Sequence, residues 1–197
     1  MTDAPYTIAA LREDYRSRRS SPIEIARECL GRIAAYADPA VWISRTPDEQ
    51  VMARARALES ARDRIDDMPL YGIPFAVKDN IDATGFPTTA GCPAFAYTPQ
   101  KDSHVVARLL ASGAILMGKT NLDQFATGLV GTRSPYGAPR CVFDPRYVSG
   151  GSSSGSAVAV AAGWMWYAQR RAGGLTGDLM GAGNQLVEVA VLVALLA

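Results

Sequence analysis

The stretch L-Y-G-I-P-F-A-V-K-D-N-I (Leu70–Ile81) is a short apolar run, opened by Gly and Pro and closed by Lys, Asp and Asn. A run of this length and bounding predicts a buried strand that ends in a polar loop. Further on, S-H-V-V-A-R-L-L-A-S-G (Ser103–Gly113) has a serine cap at one end and a glycine stop at the other, so it predicts a compact helix. A-I-L-M-G-K-T-N (Ala114–Asn121) comes next as a second apolar strand ending in polar residues. Strand, loop, helix, strand is the unit of an α/β fold, whose functional groups fall just past the strand ends.

Upstream, residues 7–66 read as helices. Ser21-Pro22-Ile23-Glu24 is a capping box with proline at the first helical position, and Thr46-Pro47-Asp48-Glu49 repeats the pattern. Ile25, Cys29 and Ile33 recur at helical spacing. Val51, Ala55 and Leu58 form a similar stripe amid arginines, which predicts a surface-lying amphipathic helix with a solvated basic face. Downstream, Gly131–Gly151 is a Gly-, Pro- and Ser-rich loop too long for a plain connector. Gly155–Gly163 then reads as a small-residue helix able to pack closely on a sheet.

Composition narrows the function classes. The 197 residues are 48% hydrophobic and 20% charged, with a formal net charge of +1, so the chain is expected to be globular, with no footprint for nucleic acid. Cys29, Cys92 and Cys141 form no C-x-x-C pair, which argues against a disulfide framework and a metal site and fits a reducing cytoplasm. The start M-T-D-A-P-Y-T-I lacks the features of a signal peptide, so a cytoplasmic location is expected. Leu186–Ala197 is apolar except for Glu188, shorter than the roughly 20 residues needed to span a bilayer.

Two features carry chemistry. Lys78 ends the first predicted strand, where burial favours the neutral amine and a general-base role; pairing with Asp79 is the rival reading. The loop Gly150-Gly151-Ser152-Ser153-Ser154-Gly155-Ser156 puts hydroxyls and backbone N–H groups into one small volume, which suits a proton relay or a developing oxyanion. A linker would not run straight into an Ala/Val helix, and the loop lacks the G-x-x-x-x-G-K-[ST] phosphate pattern, so no nucleotide or other cofactor is expected. His104, at a helix start, reads as a surface or cap residue.

With these in place the chain resembles the amidase signature family over residues 6–163. Five blocks carry the likeness in order: G-I-P-F-A-V-K-D-N-I-D, T-T-A-G-C-P-A-F (Thr88–Phe95), G-K-T-N-L-D-Q-F-A-T-G (Gly118–Gly128), G-T-R-S-P-Y-G (Gly131–Gly137) and the serine loop. The resemblance implies the N-terminal portion of an α/β/α fold with a mixed sheet, and amide hydrolysis by a Ser-cis-Ser-Lys triad. Lys78 would be the buried lysine and Ser152 the bridging serine on a cis peptide, with Gly150, Gly151 and Ser153 supporting the loop. The phrases D-P-A-V-W-I (Asp38–Ile43) and K-T-N-L-D-Q-F-A-T-G-L-V-G-T-R-S-P-Y-G-A-P are most similar to the allophanate hydrolase branch, which implies a small-molecule amide, urea-1-carboxylate, as substrate.

The likeness stops at Gly163. The family's nucleophilic serine stands in a G-T-D-x-x-G-S block, but here the text is W-M-W-Y-A-Q-R-R-A-G-G-L-T-G-D-L-M-G-A-G (Trp164–Gly183), and no serine is found after Ser156. Thr176 lies near the expected spacing in unmatched text, so it is not assigned as nucleophile. Arg170–Ala197 is similar to the C-terminal end of cobalamin synthase, a membrane enzyme. The expectation is a partial amidase domain over 1–163 and an unrelated tail with an apolar helix over 164–197, truncated, inactive, marginally stable and open to non-specific membrane association. Two alternatives remain: a general amidase or a protein like the amidase component of glutamyl-tRNA amidotransferase, and a non-catalytic membrane-associated chimera.

Overall fold

The computed structural model describes residues 7–162. Thr176, the expected apolar C-terminal helix and the tail over 164–197 lie outside the described residues.

Three helices come first: α1 (Ile8–Arg16), α2 (Pro22–Ala35) and, after strand β1 (Trp42–Arg45), α3 (Asp48–Ser60). Strand β2 (Pro74–Lys78), helix α4 (His104–Ala111) and strand β3 (Ile115–Thr120) form the predicted strand–helix–strand unit, and residues 154–162 are helical (α5). The sheet runs β1-β3-β2, with β3 central, antiparallel to β1 and parallel to β2. This is the mixed α/β arrangement expected of an amidase N-terminal portion. No helix among the described residues is long and apolar enough to cross a membrane.

The capping box of α2 is complete: the Ser21 side chain accepts from Glu24 N, and Glu24 Oε2 accepts from Ser21 N at 2.9 Å. Ser103 Oγ likewise accepts from Val106 N at the start of α4. The second expected cap does not form, because pairing of β1 with β3 fixes the backbone just before α3. There Thr46 N donates to Met117 O, the Thr46 hydroxyl turns inward to Leu116 O at 2.8 Å, and α3 begins without a side-chain cap. Asp48 and Glu49 in its first turn complement the helix dipole instead. β1 also corrects the reading of residues 7–66 as helices, since Trp42 and Ile43 favour an extended chain once β3 supplies partners.

One core cluster packs α1–α3 against the sheet through Leu11, Tyr15, Ile25, Val51, Ala55, Leu58, Ile115 and Met117; Cys29 and Ile33 join it half-buried. Val51, Ala55 and Leu58 thus form the inward stripe read from the sequence. The basic face of α3 is not simply solvated, because Arg54 Nη2 donates to Leu110 O at the end of α4 at 2.6 Å. The opposite face holds Val77 and Val106 with Phe75 and Leu116 around them.

A register shift in the β2–β3 ladder decides which way the lysines of the two strands face. Phe75 pairs with Leu116 but Ala76 pairs with Gly118, so β3 carries one extra residue. Beyond the bulge, Val77 is opposite Lys119 and Lys78 is opposite Thr120. Alternation along a strand then sends Lys119 and Lys78 to opposite faces of the sheet. Gly118 makes the bulge feasible: its φ is 149°, and a Cβ there would meet Ser44 O at 2.5 Å and Arg45 Cα at 2.9 Å. Gly118→Ala is expected to lower unfolding free energy by more than about 1 kcal/mol in urea titrations. Ser21→Ala should cost about 1 kcal/mol by the same measurement.

Candidate active site

The serine loop lies at the end of the sheet because its helix is held against it. Gly155 N donates to Asn121 O at 3.1 Å, and Asn121 N donates to Val41 O at 3.0 Å. A Cβ on Gly155 would overlap Val41 O and lie 2.5 Å from Asn121 N, so only glycine permits this contact. Thr120 Oγ1 is 2.7 Å from Ser156 Oγ, which seats the loop on the same face of the sheet as Lys78. Before the helix, Gly150 and Gly151 have φ of 77° and 71°, and Gly151 N donates to Leu129 O at 2.8 Å.

This turn delivers Ser152 Oγ to 3.0 Å from Lys78 Nζ. The two residues singled out from sequence therefore meet. Ser153 supports the loop through its carbonyl, which accepts from Ala157 N at 3.0 Å. The cis linkage expected at Ser152 is absent: no peptide bond among the described residues is cis. Two left-handed glycines turn the chain at little steric cost, whereas a non-proline cis bond costs about 3–4 kcal/mol. His104 is exposed at the first residue of α4, the surface position read for it.

The rival reading of Lys78, an ion pair with Asp79, fails because Asp79 has another partner. Lys119 Nζ lies 3.1 Å from Asp79 Oδ1, and both side chains are fully buried. Lys119 also donates to Pro87 O and Thr88 Oγ1, each at 2.8 Å, while Asp79 Oδ2 accepts from Thr89 N at 3.0 Å and from Thr89 Oγ1. Burial pulls the Lys119 ammonium below the ordinary lysine range, and the Asp79 charge opposes that pull. Lys78 forms no salt bridge among the described residues. Burial lowers its pKa, and the negative charge of Asp123 works in the opposite direction. A lysine whose pKa is lowered and whose side-chain partner is a hydroxyl can accept that hydroxyl's proton.

Asp79 was weighed from sequence only as a partner for Lys78, and Lys119, Asn121 and Asp123 were not singled out. Their signal is the K-T-N-L-D run Lys119–Asp123, rich in polar residues at the end of a strand, in which every residue is buried. Buried polar groups must be partnered, and Asn121 meets that demand by donating to Ala40 O and Gly137 O while accepting from Leu122 N and Ser134 Oγ.

The fold and this lysine–serine pair place the chain in the Amidase family: it belongs to that family, whose model matches residues 24–169. It is 60% identical over 122 residues to the urea amidolyase of Saccharomyces cerevisiae, covering 62% of this chain and 7% of that protein. It is 45% identical over 147 residues to a glutamyl-tRNA(Gln) amidotransferase subunit of Symbiobacterium thermophilum, covering 73% of this chain and 30% of that protein. The solved allophanate hydrolase of Kluyveromyces lactis superposes with a TM-score of 0.67 at 46% identity, covering 82% of this chain and 26% of that one. The chain thus spans less than a third of the length of these relatives.

Replacing Lys119 by Met strands the buried Asp79 carboxylate and should destabilise the protein by about 3–5 kcal/mol. Adding Asp79→Asn should recover much of that loss, with both values read from chemical denaturation.

Proposed function

We propose that the chain carries the proton-relay part of an amidase that hydrolyses allophanate (urea-1-carboxylate) to ammonia and carbon dioxide. The observation that carries this reading is the 3.0 Å contact of Lys78 Nζ with Ser152 Oγ, with Asp79 held by Lys119 on the other face. The neutral Lys78 amine takes the Ser152 proton, and Ser152 Oγ takes the proton of a nucleophilic hydroxyl as that hydroxyl adds to the amide carbonyl. The same path returns a proton to the departing nitrogen, and water then releases the acyl group. The 60% identity to a urea amidolyase and the likeness to a solved allophanate hydrolase support this substrate over others in the family. The relay needs no cofactor, and a reducing cytoplasm suits the free thiols of Cys29, Cys92 and Cys141.

The nucleophile is the group this sequence does not match. No serine is found after Ser156, and Thr176 stands in text unlike the family block. Loss of a triad nucleophile costs about a million-fold in kcat, so the chain as it stands is proposed to be inactive on amides. Residues 164–197 are read as a separate segment similar to the end of cobalamin synthase. Membrane fractionation with and without them tests whether they associate with lipid. A second reading, the amidase component of a glutamine-dependent amidotransferase, draws on the 45% identity over 147 residues to one of its subunits.

Two assays test the proposal. The purified chain should release no ammonia from allophanate above background; release that Thr176→Ala abolishes would contradict the missing nucleophile. Replacing residues 164–197 by the downstream part of the Kluyveromyces lactis allophanate hydrolase should restore ammonia release. In that chimera Lys78→Met or Ser152→Ala should lower kcat by at least about a thousand-fold. Turnover of glutamine in place of allophanate would favour the second reading.

A further inference from the structure

Asp123 is fully buried just past β3, and its carboxylate makes no ion pair among the described residues. Instead it accepts two backbone hydrogen bonds, Gly131 N to Oδ2 at 3.0 Å and Arg133 N to Oδ1 at 2.6 Å. Its own N–H donates to Ser152 O at 3.1 Å. Its carbonyl accepts from Ala126 N at 2.8 Å, and Gln124 N donates to Arg133 O at 2.7 Å. Three loops, 122–128, 131–133 and 149–153, therefore close on one residue.

Tying loops together does not by itself require a charge. An asparagine or a serine could cap one backbone N–H without burying an anion, which is costly unless something nearby favours it. The cation available is Lys78, whose nitrogen meets the hydroxyl of the serine that Asp123 holds by its carbonyl. The other carboxylate near the end of β2, Asp79, is taken by Lys119, so Asp123 is the anion whose field acts on Lys78.

We propose that Asp123 is a positioning residue of the relay: by drawing loops 122–128, 131–133 and 149–153 together it fixes the Ser152 main chain against Lys78 and sets a buried carboxylate beside that pair. This rests on the reading of Lys78 and Ser152 as a relay. Burial lowers the Lys78 pKa and the anion raises it, so neutralising residue 123 lowers it further and moves the start of relay competence to lower pH. Asp123 acts through Lys78 and Ser152 and need not touch substrate.

The test is competitive amine labelling of the full chain against pH. The chain has three lysines, Lys78, Lys101 and Lys119, and exposed Lys101 is the internal standard. In the wild type Lys78 should reach half-maximal reactivity below Lys101. In Asp123→Asn that midpoint should fall by a further half unit or more, about a threefold rise in the ratio of neutral to charged amine at a given pH. Asp123→Ser, small enough to admit a water beside the Gly131 and Arg133 N–H groups, carries the same prediction should the asparagine variant not fold. A folded variant whose Lys78 midpoint is unchanged or raised overturns the proposal. A wild-type Lys78 midpoint equal to that of Lys101 overturns the relay reading itself. Hydrogen exchange of the unmodified chain gives an independent check. The Gly131, Arg133 and Asp123 amides should open with one common protection factor, and independent opening of 131–133 would contradict the clamp.

Discussion

Two neighbouring parallel strands each bring a lysine to the same end of the sheet, and the site depends on those lysines facing opposite ways. Were β3 one residue out of phase, Lys119 would share the face of Lys78, and Asp79 would lose the cation that neutralises it. The bulge at Gly118 prevents this by giving β3 an extra residue just before Lys119. One buried ammonium then compensates one buried carboxylate, and the other lysine is left against a hydroxyl. Burial lowers the pKa of both lysines, and what separates them is the partner: a carboxylate in contact with Lys119 and a hydroxyl in contact with Lys78.

The serine loop depends on the sheet in a second way. Its glycines do two different jobs: Gly150 and Gly151 reverse the chain, and Gly155 lets helix α5 approach the backbone of Val41 and Asn121. Backbone hydrogen bonds that link the loop to Asn121, Asp123 and Leu129 give it a fixed height above β3. Ser152 is thereby positioned by main-chain contacts rather than by packing of its own small side chain. Exposed apolar groups, including Leu129 at 86% and Phe125 at 48% exposure, lie in the loop that joins Asp123 to Gly131.

The features legible in the sequence were those written in local chemistry. The α2 capping box, the Ser103 cap and the glycine stop of α4, strands β2 and β3, and the small-residue helix depend on residues a few positions apart. Lys78 was legible as a strand-end lysine and the Gly150–Ser156 loop as a cluster of hydroxyls and backbone N–H groups, whereas Ser152 was picked out of that loop only by the family resemblance. The hidden features depend on pairing across the chain. β1 extends only because β3 accepts it, Thr46 abandons its cap because β1 fixes its backbone, and Lys119 finds Asp79 only after a register shift. The cis linkage was implied by family likeness alone, and this loop turns on its glycines instead.

The central claim is that Lys78 is the lysine left free to lose its proton. Heteronuclear NMR of the side-chain amino groups reads it directly, since only three lysines need assignment. The account predicts that Lys78 Nζ titrates below exposed Lys101, and that this difference persists in Ser152→Ala. A Lys78 that titrates with Lys101 or above it would contradict the account.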